Sequence, residues 1–143
     1  MLVLDANILM RAVLGKGAKA LLTKYADRVT LVAPDTAFQE ARQRLPEVIA
    51  GRRMDSTPFM TYFESLSRII QTVEPEAYAG FEDIARARLA LRDEDDWPIL
   101  AAALALRYPI WTEDSDFFGC GVATWTTDRV EIYLAQMSSP PPA

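Results

Sequence analysis

Short apolar runs alternate along the chain with segments in which apolar residues recur at helical spacing. The runs predict strands at residues 1–4, 29–33, 71–73, 109–111 and 122–125. The helical spacing predicts helices that begin near residues 7 and 35, and further helices over residues 58–70, 77–91, 93–107 and 126–137. Because short strands alternate with helices, the pattern predicts an α/β fold, an α/β/α sandwich around a central, mainly parallel sheet.

One predicted helix differs from the others because apolar residues cover all of its faces. It contains the segment from Trp97 to Leu106, so we expect it to be buried. The segment is far shorter than the roughly 20 residues that a membrane span needs, and the single cysteine excludes an intrachain disulfide framework. We therefore expect a cytoplasmic protein with one domain over residues 1–137 and a disordered, proline-rich tail over residues 138–143.

Acidic residues stand where a parallel sheet of this kind forms its ligand crevice, beyond the carboxyl ends of the strands. Three of them directly follow strands, one lies about two turns into the helix after the second strand, and two stand at the start of the buried helix. These six residues are Asp5, Glu40, Asp93, Asp96, Asp114 and Asp116. We expect their carboxylates to converge at one end of the sheet.

The composition limits the chemistry that such a site can perform. The absence of histidine excludes serine triads, cysteine–histidine pairs and histidine zinc ligands. A net charge of −5 argues against binding of nucleic acid by bulk attraction. Carboxylates gathered in one cleft repel each other by several kcal/mol unless they bind cations or protons. Oxygen ligands alone suit Mg²⁺ or Mn²⁺, and such ions promote phosphodiester hydrolysis.

Each acid also has a purely structural explanation. Asp5 can cap the helix that follows it, and Glu40 can pair with Arg44 one turn later. The charges at residues 93–96 suit a helix start, and those at residues 114 and 116 suit a turn. It is the joint placement of these acids at one edge of the sheet, more than any single residue, that favours a functional site.

The candidate acids lie in four parts of the sequence, which follow one another along the chain. They are Leu4-Asp5-Ala6-Asn7-Ile8-Leu9, Glu40 in its helix, Asp93-Glu94-Asp95-Asp96-Trp97-Pro98-Ile99-Leu100, and Trp111-Thr112-Glu113-Asp114-Ser115-Asp116-Phe117. Together they resemble the PIN domain family, which includes the VapC-type toxins of bacterial toxin–antitoxin pairs. The resemblance extends from Met1 to about Leu134. It implies a Rossmann-like α/β/α fold and a magnesium- or manganese-dependent endoribonuclease.

The same resemblance implies roles for individual residues. The catalytic acids of the family match Asp5, Glu40, Asp96 and Asp114, of which Asp5, Asp96 and Asp114 would hold the metal ion. The accessory positions match Asp93, Asp116, Asn7 and Thr112. The last two are small polar residues that suit the orientation of an acid or a water, and ordinary capping or turn chemistry explains them equally well. Glu47 and Asp35 stay open as alternatives to Glu40.

An acidic protein that acts on RNA needs local cations, and two groups of residues supply them. The first group, the RNA-binding candidates, is Arg42, Arg44, Arg52 and Arg53, and the second is Arg11, Lys16, Lys19 and Lys24. The aromatic helix at residues 58–70 has more apolar surface than a lone helix requires. Most of it suits the core, and the resemblance implies that a share forms a homodimer face or binds an antitoxin protein.

Three other classes of protein are alternatives to a nuclease. A phosphoacceptor receiver domain needs a lysine late in the chain, and none follows Lys24. A P-loop enzyme needs a glycine spacing that Gly15-Lys16-Gly17 lacks. The remaining alternative is a non-catalytic member of the PIN domain family that binds RNA or protein. All four positions of the catalytic acids are filled, which counts against it.

Overall fold

The computed structural model describes residues 1–139 and contains a five-stranded sheet in which all paired strands run parallel. The strands are β1 (Leu2–Leu4), β2 (Leu31–Pro34), β3 (Ile70–Val73), β4 (Ile110–Trp111) and β5 (Thr124–Trp125). Their order across the sheet is β3-β2-β1-β4-β5, so the first strand of the chain lies at the centre. The predicted α/β/α fold with a parallel sheet is confirmed.

Helices cover the sheet and connect its strands. Those within the described residues are α1 (Ala6–Leu14), α2 (Gly17–Tyr25), α3 (Asp35–Gly51), α4 (Ser56–Ser65), α5 (Pro75–Tyr78), α6 (Glu82–Arg88), α7 (Trp97–Leu106) and α8 (Val130–Ser138). Short 3-10 turns occupy residues 66–68, 79–81, 94–96 and 115–117. No helix in residues 1–139 is both long and apolar enough to cross a membrane.

Two helical segments differ from the sequence prediction for physical reasons. The predicted helix over residues 58–70 ends at Ser65, because Ile70 pairs with Leu31 and thereby begins β3. The predicted helix over residues 77–91 is two short helices, α5 and α6, separated by a 3-10 turn. In both places the chain forms sheet pairing or a turn where the apolar spacing alone favours a continuous helix.

The apolar pattern did not indicate α2, because this helix buries only a narrow stripe. Ala18, Leu22 and Tyr25 face the core, and the rest of the helix is mostly exposed. At the other end of the chain, α8 includes Ser138, which is the first residue of the predicted disordered tail. Residues 140–143 of that predicted tail lie outside the described residues.

The pairing of β1 with β4 fixes the position of the residues that follow both strands. Val3 pairs with Ile110 and Leu4 pairs with Trp111. The ladder extends one residue further, since the amide of Asp5 donates to the carbonyl of Trp111 at 3.1 Å. The side chains that follow the two strands therefore start from adjacent points at the carboxyl edge of the sheet.

Helix α7 is buried as its composition predicts. Residues 98–103 are buried, and Ala101 to Ala103 let the helix pack closely against β1 and β2. The helix ends at Arg107, which adopts a left-handed conformation with φ of 60°. Because α7 begins at Trp97, the residue before it, Asp96, is held at the edge of the sheet by a rigid, buried element.

We expect truncation of Leu100 to destabilise the domain more than truncation of Leu106 on the same helix. Leu100 is fully buried, so Leu100→Ala should lower the free energy of unfolding by about 2–5 kcal/mol. Leu106 is only half-buried, so Leu106→Ala serves as the matched control with a smaller loss. Urea denaturation of both variants measures the difference. Equal losses would show that α7 is not the buried core helix described here.

Candidate functional site

Asp5 is a buried carboxylate held by three donors. It is only 6% exposed, and its Oδ1 accepts a hydrogen bond of 2.7 Å from the amide of Ala6 at the start of α1. Its Oδ2 accepts from the hydroxyl of Thr112 at 2.8 Å and from the amide group of Asn7 at 3.0 Å. Burial raises the pKa of Asp5 to about 6, even though Thr112 and Ala6 stabilise the charged form. Asp5 thus caps α1 and also belongs to a polar network.

Thr112 and Asn7 connect Asp5 to the loop that follows β4. The fully buried hydroxyl of Thr112 donates to Asp5 and accepts from the amide of Asp114 at 2.9 Å. The side-chain oxygen of Asn7 accepts from the amide of Glu113 at 3.3 Å. These bonds fix the positions of Asp5 and Asp114 relative to each other. Orientation of an acid was one of the two roles expected for Asn7 and Thr112.

Three further carboxylates form a compact group beside this network. Asp96, Asp114 and Asp116 each offer an oxygen, and the three oxygens lie within 4.8 Å of one another. Asp114 reaches the group from a capping position, because its Oδ1 accepts from the amide of Asp116 at 2.9 Å. The predicted metal ligands were Asp5, Asp96 and Asp114, whereas the compact group contains Asp116 in place of Asp5. The oxygens of Asp5 accept hydrogen bonds from neutral donors, and its charge acts on Asp96.

The charges of these acids act on one another. The pKa of Asp96 is raised to about 7, first by burial and then by repulsion from Asp5, Asp93, Asp114 and Glu40. Glu40 and Asp114 likewise oppose ionisation of Asp5. Oxygen ligands without a nitrogen or sulfur donor suit a hard divalent cation, which would relieve this repulsion. The residues present therefore fit Mg²⁺ or Mn²⁺.

Glu40, the residue predicted to be the second acid, lies on α3. It pairs with Arg44 at 3.1 Å, as the spacing of the two residues allows, and it lines a small cleft with Asp96 and Trp97. Of the two alternatives, Asp35 accepts a hydrogen bond from the hydroxyl of Tyr78. Glu47 is exposed about two turns further along α3. Among the three, Glu40 is the acid whose charge raises the pKa of both Asp5 and Asp96.

Asp93 also lies near the group, and it has a structural bond of its own. Its side chain accepts from the amide of Asp95 at 3.0 Å and so caps the 3-10 turn that leads into α7. Its charge contributes to the raised pKa of Asp96. Three of the six predicted acids, Asp96, Asp114 and Asp116, thus form the compact group, and the charges of Asp5, Glu40 and Asp93 act on Asp96. Asp93 is exposed, as are Glu94 and Asp95.

Two arginines that the sequence did not indicate hold the loop that carries Asp116. Arg92 donates to the carbonyls of both Asp116 and Phe118, and Arg88 donates to the carbonyl of Cys120 at 3.1 Å. Gly121 adopts a φ of +91°, and a Cβ there would lie 2.6 Å from the guanidinium of Arg88. The positive φ favours glycine at this position, and a larger residue would displace the guanidinium of Arg88. An arginine that binds backbone carbonyls leaves no pattern in a single sequence.

The predicted RNA-binding arginines divide into two groups. Arg44 and Arg52 line a cleft beside the acids. Arg42 lies on another face of α3, where it pairs with Glu64 of α4 at 3.2 Å. Arg53 is exposed after the end of α3 and has a positive φ of 56°. The structure therefore does not bring the four arginines of residues 42–53 together as one surface.

Comparison with known proteins agrees with this architecture. The PIN domain profile matches residues 3–135, and the chain belongs to the PIN domain family. A similar fold occurs in the structure of VapBC-1 from nontypeable Haemophilus influenzae, with a TM-score of 0.54 and 15% identity over 90% of this chain and 98% of that chain. No curated protein sequence matches the chain. PIN domains are generally nucleases, and the family generally uses a divalent metal ion.

Ionisation of Asp5 and Asp96 should oppose folding when no cation is bound. Their pKa values, about 6 and about 7, lie above the ordinary 3.8, so between these limits the folded state binds more protons than the unfolded chain. The free energy of unfolding in EDTA should therefore fall as pH rises from about 4 to about 7, by about 3 kcal/mol from the buried Asp5. Urea denaturation across this range measures the change.

The Asp96→Asn variant provides the control for this pH dependence. Removal of one repelling carboxylate should flatten the fall in stability and raise the free energy of unfolding in EDTA near pH 8. A stability that increases over the same pH range, or an identical profile in the variant, would contradict the mutual repulsion of these acids.

We expect Arg92→Ala to loosen the loop at residues 115–121. The variant loses the hydrogen bonds to the carbonyls of Asp116 and Phe118, each worth about 0.5–1.5 kcal/mol. The amides of Phe118 and Cys120 should then exchange with solvent about ten-fold faster. Hydrogen exchange measures this, with the exposed Arg68→Ala as control. Unchanged exchange in Arg92→Ala would show that the arginine does not hold the loop.

Proposed function

We propose that the protein is a divalent-metal-dependent endoribonuclease, with Mg²⁺ or Mn²⁺ as its cofactor. The observation that carries this proposal is the carboxylate group of Asp96, Asp114 and Asp116, coupled electrostatically to Asp5 and Glu40 at the carboxyl edge of the sheet. Membership of the PIN domain family, whose members are generally nucleases, supports it. The close placement of these like charges has a clear physical reason if the site holds a cation.

The acids would divide the work of hydrolysis among them. Asp96 and Asp114, with Asp5 or Asp116, would hold the ion, and oxygens of Asp96, Asp114 and Asp116 lie within 4.8 Å of one another. When bound, the ion promotes ionisation of water and stabilises negative charge on the phosphodiester. Glu40 lines the cleft beside Asp96, where it would orient the attacking water and accept its proton. Asn7 and Thr112 would keep Asp5 in place through the bonds described above.

The cleavage would be an in-line displacement at phosphorus without a covalent enzyme intermediate. Water adds to the phosphorus, the bond to the leaving 3′ oxygen breaks, and that oxygen takes up a proton. By its resemblance to the family, the enzyme would leave products with a 5′-phosphate and a 3′-hydroxyl. No histidine is present to support a route that depends on imidazole as general base and acid.

A role as the toxin of a toxin–antitoxin pair is the biological setting that we infer. The structure of VapBC-1 from nontypeable Haemophilus influenzae has a similar fold, and its 15% identity to this chain shows similarity of fold alone. Helix α4 packs Phe63 into the core and leaves Phe59, Met60 and Tyr62 partly exposed. That surface suits an antitoxin protein or a second copy of this chain. A cytoplasmic location, with access to cellular RNA, is part of the proposal.

Incubation of the purified protein with a structured RNA and Mn²⁺ tests the proposed activity. The wild type should cut the RNA, and EDTA should stop the reaction because the carboxylates then lack their cation. Glu40→Gln should lower the rate by about 100-fold or more if Glu40 is the general base. Asp96→Asn and Asp5→Asn should reduce cutting to background while the proteins remain folded.

Glu94→Gln is the matched control for Asp96→Asn. Glu94 belongs to the same turn, is exposed and does not line the cleft of Glu40 and Asp96, so its variant should cut RNA at the wild-type rate. Cutting that persists in EDTA or in Asp96→Asn would contradict the metal-dependent mechanism. No cutting by the folded wild type with Mn²⁺ would favour the alternative, a non-catalytic PIN domain that binds RNA or protein.

A further inference from the structure

A cleft of about 590 Å³ lies between α1, the start of α2 and the second half of α3. Four cationic side chains line it: Arg11, Lys16, Arg44 and Arg52. Within residues 1–139, no acidic side chain contributes to its lining. Since the whole chain has a net charge of −5, this cleft is a local concentration of the opposite sign.

Helical spacing explains why these cations face one another. Arg44 and Val48 lie on one face of α3, and Arg52, the residue that caps the end of this helix, follows at the same four-residue spacing. Arg42 precedes Arg44 by two residues, so it points to another face and pairs with Glu64. The arginines of α3 thus differ in environment even though they are close in sequence.

The cleft adjoins the acid group through two residues. Asn7 lines the cleft and donates to Asp5 at 3.0 Å, and Arg44 lines the cleft and pairs with Glu40 at 3.1 Å. The pair of Arg44 and Glu40 is about half exposed, so it is a weak interaction that does not commit Arg44 to Glu40. An RNA strand whose scissile phosphate lies at the acids would therefore pass directly into this cleft on one side of that phosphate.

We infer that this cleft binds the nucleotide next to the scissile phosphate, an inference that rests on the proposed function. Arg11, Lys16, Arg44 and Arg52 would contact the phosphates on either side of that nucleotide. Met10, Leu14 and Val48 provide apolar surface for its base or ribose. The first amides of α2 add a favourable dipole, since Lys16, the residue before the helix, makes no side-chain capping bond.

The lining favours a polyanion over a peptide partner. Within residues 1–139 no acidic side chain lines the cleft, and the pair that Arg44 forms with Glu40 outside the lining is half-exposed and weak. The four cations therefore attract phosphates, through contacts that do not depend on sequence. A peptide that filled the same cleft would have to be acidic. Binding of an acidic peptide in place of RNA is therefore the competing outcome. In that case Arg52→Ala and Lys16→Ala would bind RNA as the wild type does.

Fluorescence anisotropy with a labelled single-stranded RNA in EDTA tests this inference without cutting. Arg52→Ala and Lys16→Ala should each weaken binding on the order of three- to ten-fold and lower the slope of log affinity against log salt by about 0.7, as expected for one lost phosphate contact on a single strand. Arg42→Ala is the matched control on α3, and its affinity and slope should equal those of the wild type. A gel after each titration confirms that the RNA is intact.

The outcome of this binding experiment can be distinguished from the outcome of the RNA-cutting assay. If the wild type cuts RNA with Mn²⁺ but Arg52→Ala and Lys16→Ala bind and cut like the wild type, the cleft does not hold the substrate and the nuclease assignment stands. An effect of Arg42→Ala equal to that of Arg52→Ala would also overturn the inference, because the binding would then follow net charge alone. Weaker binding by the two cleft variants supports the inference even if the wild type does not cut.

Discussion

The hydrogen bond from the amide of Asp5 to the carbonyl of Trp111 is the contact on which the site depends. It extends the pairing of the central strand with β4 by one residue, so that Asp5 and Thr112 stand side by side although they are distant in the chain. Thr112 then fixes the amide of Asp114, and α7 holds Asp96 at the same edge. Strand pairing therefore positions the acids, and the local side-chain bonds refine their orientation.

This arrangement stores electrostatic free energy in the folded protein. Burial and like charge raise the pKa values of Asp5 and Asp96, which means that the free carboxylates disfavour the fold that assembles them. The buried apolar core of β1, β2, β4 and α7 compensates for that cost. A cation of high charge density removes it, and the same ion would stabilise charge on a phosphodiester. Folding stability and the proposed chemistry are thus two consequences of one group of charges.

The parallel sheet could be predicted from the sequence because it depends on short apolar runs that alternate with helices. Five of the six candidate acids follow such a run or stand at a helix start, and parallel strands bring such positions to one edge, whereas Glu40 lies further along its helix. The hydrophobic pattern was not sufficient where the conformation depends on contacts between residues that are distant in sequence. Helix α2 buries too few residues to leave a clear stripe, and the arginines that hold the Asp116 loop bind backbone carbonyls. The direction of Arg42 depends on its partner Glu64 across the gap between α3 and α4.

Anomalous diffraction from crystals soaked in Mn²⁺ tests most directly whether these carboxylates form a metal centre. We expect a peak in contact with oxygens of Asp96 and Asp114, with Asp5 or Asp116 as the third ligand. We also expect this peak to be absent from crystals of Asp96→Asn soaked in the same way. A peak at other residues only, or no peak in well-soaked wild-type crystals, would contradict the account.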